Sequence, residues 1–391
     1  MKLTRKFYAL LICCIFATSV HAVDFGGSLE NNTRLGSSTF DKWELAQQDS
    51  LTGWLKVPFN SDGKLYLATE GTLFLNVNVL DLSNSSSATT DFLFDIGLFK
   101  LGGVFNIGDN LLQLNLGRFF TTDVTGIIMT QTTDGIQGAF TSDYFKASLF
   151  AAYTGLTNAM FSPIIDGPTS TFVPDDSKVY CFNSPYIVTG ATISAPYLFA
   201  NQTVGLEFFG MFGTKGINGD NAGYNRSYLT LFMNGPIAKN LFYTLSSSLE
   251  FKDGIANLTS ATLSYYPAFK SASISLNAVY ASGESGSLKA FEAFSSNTAT
   301  YAYNLPEYTG LLKFGLKGSI KPIENLYTSV GADIALDTGS ESGFRGFQWD
   351  AAVKYQIFTD LQASLIAKQF YDSKDKANNS TSFALNVRLT F

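Results

Sequence analysis

The chain has 391 residues, with 26 Lys and Arg against 32 Asp and Glu, giving a net charge of −6 at pH 7. That acidic balance argues against a nucleic-acid partner, whose phosphates call for a basic face. Apolar residues make up 46% and charged ones 15%, and 35 Phe and 19 Tyr stand beside 34 Gly. After the N-terminus no apolar block is long enough for a helical membrane span, so the hydrophobicity is spread as in a sheet.

Residues 1–22 read as a secretory signal peptide. Lys2, Arg5 and Lys6 precede an apolar run over 7–16, and Val20-His21-Ala22 supplies a cleavage site. The run is too short to cross a bilayer. Cys13 and Cys14 raise a lipoprotein reading, but Ile12 is not the small residue such a site needs. Residues 23–391 then carry 23 basic and 32 acidic side chains, net −9, with Cys181 as the sole Cys and no His. No intramolecular disulfide can form.

From there the chain alternates with period two in runs near the ~9–11 residues of a tilted transmembrane strand. Such runs fall at 64–78, 111–118, 145–153, 202–213, 273–281, 308–320, 326–336 and 347–357. In 111–118, Leu112, Leu114 and Leu116 oppose Gln113, Asn115 and Arg118. In 347–357, Phe347, Trp349, Ala351, Val353 and Tyr355 oppose Gln348, Asp350, Lys354 and Gln356. Aromatic residues such as Tyr66, Tyr153, Tyr243, Tyr280 and Trp349 gather near run ends, as in interfacial girdles.

The connections alternate in length. Short ones rich in Gly, Pro, Asn and Asp lie at 60–63, 106–110, 142–143, 196–201, 235–240, 267–272, 321–325 and 358–360. Long polar ones lie at 36–49, 81–91, 120–134, 154–185, 214–225, 283–306, 337–346 and 372–380; only 252–254 is short in that series. Short turns on one side and long loops on the other predict an all-β fold. It is a single-chain antiparallel transmembrane β-barrel with periplasmic turns and extracellular loops. Both termini then face the periplasm, giving eighteen strands, with sixteen the nearest alternative. The first strand begins near Phe25, and one barrel domain spans 23–391.

The last run, 383–391, sets Phe383, Leu385, Val387, Leu389 and Phe391 on one face, and Ala384, Asn386, Arg388 and Thr390 on the other. It resembles the terminal strand of bacterial outer-membrane β-barrels, in which such a row ending in Phe is read by the barrel-assembly machinery. Gly117-Arg118 followed by Asp134-Gly135 is similar to the strand-loop-strand arrangement of porins, including the alginate-export type. The resemblance implies the bacterial outer membrane, with membrane lipid and the assembly machinery as partners.

Little catalytic chemistry is available. Without His, Ser-His and His-carboxylate mechanisms are closed, and one Cys builds no structural zinc site. Asp175-Asp176 reads as solvated loop charge. Segments 218–221 and 372–375 are oxygen-rich but match no EF-hand loop. Cys181 reads as a packed or free thiol. Neither an enzyme nor a cofactor is expected.

The lumen-facing charges remain. Asp95, Asp333 and Asp350 are placed toward the loop end, and Lys146, Lys317, Lys354 and Arg388 toward the periplasmic end. Glu70, Arg118, Glu207, Lys313 and Lys368 fall between. They either set the field of a water-filled pore or pair across neighbouring strands. Ser246, Ser248, Ser275, Asn277 and Ser329 favour an open lumen. The basic C-terminal wall predicts anion preference. Loop 154–185, with Pro163, Pro168, Pro174 and Pro185, is expected to fold into the mouth as a constriction or to cap the surface. The resulting reading is a porin passing small hydrophilic solutes by diffusion; the alternative is an adhesin or structural barrel with an occluded lumen. Solute identity and homo-oligomerisation are left open.

Overall fold

A computed structural model describes residues 23–38, 42–79, 82, 88–161, 164–167, 170–171, 178–217, 219–295, 309–339, 343–376 and 379–391. The expected signal peptide and the Asp175-Asp176 pair lie outside the described residues.

The N-terminal half supplies β1 (Asp24–Ser38), β2 (Lys42–Pro58), β3 (Leu65–Val79), β4 (Ala88–Ile107), β5 (Asn110–Thr122), β6 (Thr130–Thr141) and β7 (Lys146–Tyr153). Two short pieces follow, β8 (Ile165–Gly167) and β9 (Ser170–Thr171), then β10 (Tyr186–Phe199) and β11 (Gln202–Gly213). A second small hairpin, β12 (Lys215–Gly216) and β13 (Gly219–Asp220), precedes β14 (Asn225–Ala238), β15 (Leu241–Phe251), β16 (Ile255–Tyr265) and β17 (Ser273–Ala281). The wall ends with β18 (Leu311–Ile323), β19 (Leu326–Asp337), β20 (Gly343–Gln356), β21 (Leu361–Asp372) and β22 (Ser380–Thr390).

Eighteen of these form one antiparallel meander, each pairing with the next, and β22 pairs with β1 to close the barrel. The eighteen-strand expectation holds over sixteen. Closure leaves no sheet edge, the condition for a sheet to sit in hydrocarbon. Beyond the ladder, Gly27 and Phe391 exchange both backbone hydrogen bonds, at 2.8 and 2.9 Å.

The period-two pattern decides which side chains meet the outside. Leu114, Leu116, Ile136, Leu149, Leu206, Leu231, Phe314, Val330 and Leu365 are all exposed, and register places them in one continuous outward belt. An exposed apolar band of this size on a water-soluble molecule would drive aggregation; on a barrel it is the lipid face. The opposite rows carry Ser, Thr, Asn, Gln and charge. On β14–β17, Thr230 bonds Ser248 at 2.8 Å and Ser246 bonds Ser260 at 2.7 Å, so hydroxyls pair across strands.

Turns follow the expected chemistry. In the β2–β3 turn Asn60 Oδ1 accepts from Leu65 N at 3.0 Å, and Gly63 takes a φ of 68°. Two expected loops are shorter than their composition suggests. Residues 36–49 are largely strand, with Arg34 opposite Ala46, and 120–134 shrinks to a 123–129 loop because Thr121 pairs with Gln131. The ladder satisfies backbone groups whatever the side chain, and β-branched Thr suits it; polarity there marked strand extensions, not loops.

Candidate functional site

Register places Glu70, Asp95, Lys146, Glu207, Lys313, Lys317, Asp333, Asp350, Lys354, Lys368 and Arg388 on inward rows. Asp95 faces Thr72, whose hydroxyl bonds Thr52 at 2.9 Å. Lys313 stands beside Asp333 and Lys317 beside Asp350, each pair 4.0 Å apart. Glycine makes room for both carboxylates. A Cβ at Gly315 would lie 2.0 Å from Asp333 Oδ1, and one at Gly331 would lie 2.6 Å from Asp350 Oδ1. Lys146, Lys354, Lys368 and Arg388 are exposed, with no ion pair found for them among the described residues. Arg388 lies opposite Glu30, whose carboxylate accepts from Asn386 Nδ2 at 2.5 Å. Pairing across strands thus accounts for the deeper charges, while the remaining lysines project into the lumen.

Arg118 departs from the lumen-lining expectation. It shares parity with Leu114 and Leu116, and the β5–β6 register runs through it without a shift, so it sits on an outward row opposite Asp134. Its guanidinium is nevertheless buried. It forks onto Asp134 at 2.9 and 2.8 Å and donates to the carbonyls of Ile96 and Leu156 and to the hydroxyl of Tyr180. Above Phe99, β4 no longer pairs with β5. There Phe94 N donates to Val179 O and Asn158 Nδ2 donates to Phe94 O, so the 154–185 loop takes over part of the wall. Arg118 ties β4, β5, β6 and that loop together across the seam. Burial raises the Tyr180 hydroxyl's pKa above its ordinary value, against the lowering pull of Arg118.

Three loops meet inside the barrel. The 123–129 loop is stapled by Asp123, whose carboxylate accepts from the backbone of Met129 and Thr125 at 2.8 Å and from the Thr125 hydroxyl. Burial pushes the Asp123 pKa above its ordinary value, against those hydrogen bonds. The loop is moored to the wall where Val124 N donates to Glu207 Oε2 at 2.8 Å. From the far side, the segment after β17 reaches across. Phe294 N donates to Ile128 O at 2.7 Å, and Thr130 N donates to Ser295 Oγ at 3.2 Å. β6 and β17 are separated by six strands of the eighteen, so these contacts span the lumen rather than one wall. Ile164 of the 154–185 loop bridges to Ser295 and is fully buried beside Ile128, Met129 and Phe294. The aromatic floor is Tyr186, Phe209 and Tyr228, with Phe294 5.8 Å from Phe209 and 5.9 Å from Tyr186.

Glu292 anchors this bridge. Its carboxylate accepts from Arg226 at 3.1 Å, Lys252 at 3.2 Å and Tyr224 at 2.9 Å, while its backbone N donates to Glu250 and its carbonyl accepts from Tyr228. Arg226 is among the largest fully buried side chains. Strand periodicity carries no trace of this bridge. Its signals were Ile127-Ile128-Met129 and Phe291 to Phe294 (FEAF), apolar clusters inside polar loops. Cys181 is buried, its amide donating to Asn158. In the oxygen-rich 372–375 turn, Asp372 accepts from Lys374 N and pairs with Arg345, so its carboxylate is already engaged.

A closed barrel, apolar outside and polar within, narrowed by inward loops, has the architecture of transmembrane porins. Similar solved structures are Pseudomonas aeruginosa barrels. OpdQ superposes with a TM-score of 0.62 at 12% identity, covering 95% of this chain and 99% of that one. OccK2 (OpdF), in complex with glucuronate, gives 0.62 at 11%, covering 95% and 99%. OpdK with vanillate gives 0.59 at 12%, covering 94% and 98%. At these identities the likeness is one of fold. No protein-family model matches the sequence, and no curated protein matches it.

Proposed function

We propose that this chain is a porin of the bacterial outer membrane that passes small hydrophilic anions by diffusion. The observation that carries the reading is the inner wall below the loop bridge. Lys354, Lys368 and Arg388 are exposed there on adjacent strands, while the neighbouring Asp333 and Asp350 are drawn against the wall by Lys313, Lys317 and the two glycines. Free positive charge along a constricted aqueous path lowers the barrier for anions and raises it for cations. Two fold neighbours hold the carboxylates vanillate and glucuronate, which supports a carboxylate-bearing solute here. Recognition then comes from several weak charge contacts in sequence, favourable enough for entry and weak enough for release. No step of this requires bond chemistry.

On this reading residues 1–22 direct secretion, 23–391 form the barrel, and the row Phe383, Leu385, Val387, Leu389 and Phe391 serves the assembly machinery. Reversal potentials of single channels in a salt gradient test the reading. Anion preference supports it; cation preference in a conducting barrel overturns the polarity, and a folded barrel without conductance favours the occluded alternative.

A further inference from the structure

The ladder does not reach the same height all round the barrel. Among the described strands, β4 pairs with β3 alone from Ala88 to Leu98, and its pairing with β5 begins only at Phe99. The β5–β6 hairpin is free on both flanks above that level. Residues 119–122 and 130–133 pair only with each other, and β7 joins β6 from Asp134 downward. This free tip bends into the lumen, where Phe119 and Met129 are buried with Phe209 and Phe294. Glycines allow the bend: Gly117 takes a φ of 119°, and a Cβ at Gly135 would lie 2.2 Å from the carbonyl oxygen of Ala151. Bending inward leaves a breach in the wall between β4 and the top of β7. It opens within the hydrocarbon belt, because the outward row of β4 stays apolar above it, at Phe94 and Phe92.

A separate piece of chain covers the breach. Residues 154–161 and 178–185 run against each other, with Ala159 N donating to Cys181 O at 2.8 Å and Asn183 N to Thr157 O at 3.0 Å. No ladder joins this cover to β4 among the described residues. It is linked by Phe94 N to Val179 O at 3.1 Å, by Asn158 Nδ2 to Phe94 O at 2.9 Å, and by Arg118, whose guanidinium spans Ile96 O and Leu156 O. Tyr180 completes the latch, accepting from Arg118 at 2.9 Å and donating to Leu156 O at 2.6 Å. Both faces of the breach are apolar. Inside, Phe74 pairs with Leu93 on rows otherwise held by Thr72, Asn76, Asp91 and Asp95, and Phe161 of the cover packs on Phe74 with ring centroids 4.4 Å apart. Phe92 and Phe120 are exposed on outward rows, and Leu156 and Val179 of the cover are exposed too.

We propose that this breach is a lateral passage between the lumen and the lipid, taken by amphipathic acids: an apolar chain or ring bearing one carboxylate. A wall held by a few loop contacts opens at a lower free energy than a continuous ladder, so the cover is the part of the barrel that lifts. Lifting it carries Leu156 O and the Tyr180 hydroxyl away from Arg118, which stays forked onto Asp134. Two guanidinium N–H groups are then left at the sill to receive the solute's carboxylate, a charge-assisted contact. The apolar part passes from Phe74 and Leu93 on the lumen side to Phe92 and Phe120 on the lipid side. A small hydrophilic anion gains nothing from that path and follows the axis. The lateral route adds to axial diffusion and does not depend on its ion preference.

The test uses cells carrying the full chain in their outer membrane and two probes, dansyl-labelled lauric acid and radiolabelled succinate. The wild-type chain should raise laurate uptake above that of cells without it. Phe94→Cys with Val179→Cys, joined by a bis-maleimide, pins the cover to β4, with buried Cys181 as the background thiol. Pinning should lower laurate uptake about tenfold and leave succinate uptake unchanged, whereas the same pair left unjoined should behave as wild type. Should that pair fail to assemble, Phe92→Cys replaces Phe94→Cys. Tyr180→Phe, which unlatches the cover but keeps Arg118, should raise laurate uptake about tenfold at most, the ratio set by losing an ordinary hydrogen bond, without raising succinate uptake. Laurate uptake that persists in the pinned barrel, that falls together with succinate, or that is missing from wild type and Tyr180→Phe alike overturns the proposal. Absent succinate uptake beside pin-sensitive laurate uptake would instead count against axial diffusion and leave the lateral passage standing.

Discussion

Replacing Glu292 with Ala removes the carboxylate that holds the lumen-crossing segment to the wall. Three donors lose this acceptor, among them the fully buried Arg226, whose other side-chain contacts include the Ala293 carbonyl and the Met211 sulfur. Breaking a buried ion pair from one side costs about 3–5 kcal/mol, because the remaining charge is left uncompensated. The eighteen-strand ladder does not pass through Glu292, so the cost falls on docking of the 282–295 segment and the wall stays closed. A loss of about 3 kcal/mol changes the docked-to-undocked ratio on the order of a hundredfold. The assay is single-channel recording with limited proteolysis as the structural check. Glu292→Ala should give larger or strongly fluctuating conductance and new cleavage between residues 282 and 295, with Glu292→Gln intermediate. Unchanged conductance and unchanged protease resistance in a folded Glu292→Ala barrel would refute the idea that this segment narrows the lumen.

Other perturbations separate the wall from the pathway. Lys354→Glu with Lys368→Glu should move the reversal potential toward cations without altering thermal stability, since both side chains are exposed. Arg118→Ala should act the other way, costing about 3–5 kcal/mol locally by stranding Asp134. It should lower the melting temperature, loosen the 154–185 loop to protease and leave ion preference nearly unchanged. Gly315→Ala should fold, because the obstructing atoms are the side-chain ends of Asp333 and Asn277, but it should push Asp333 from its seat and reduce anion preference.

Much of this architecture was legible in the chain because barrel strands obey a strict period. Leu312, Phe314 and Leu316 announce an outward row, and alternating short and long connections announce the strand count. Charged inward positions followed by the same parity, and Arg118 was misplaced where parity was miscounted: it is even-numbered like its leucine neighbours. Loop interiors were illegible for a different reason. Whether Ile128 or Phe294 is buried depends on a partner over 160 residues away, and no local period encodes that distance. Glu207 illustrates both limits, since its row was readable but its hold on Val124 N was not. The strand pairing of Gln47 and Asp49 was hidden because residues 36–49 read as a loop.

The measurement that bears most directly on the account is ion selectivity of purified, refolded protein in a planar lipid bilayer. A transmembrane barrel with free lysines below a loop bridge should insert, give discrete conductance steps and show an anion-selective reversal potential that Lys354→Glu with Lys368→Glu shifts toward cations. A monodisperse protein that stays in water without detergent, or an inserted barrel that passes no current, would contradict it.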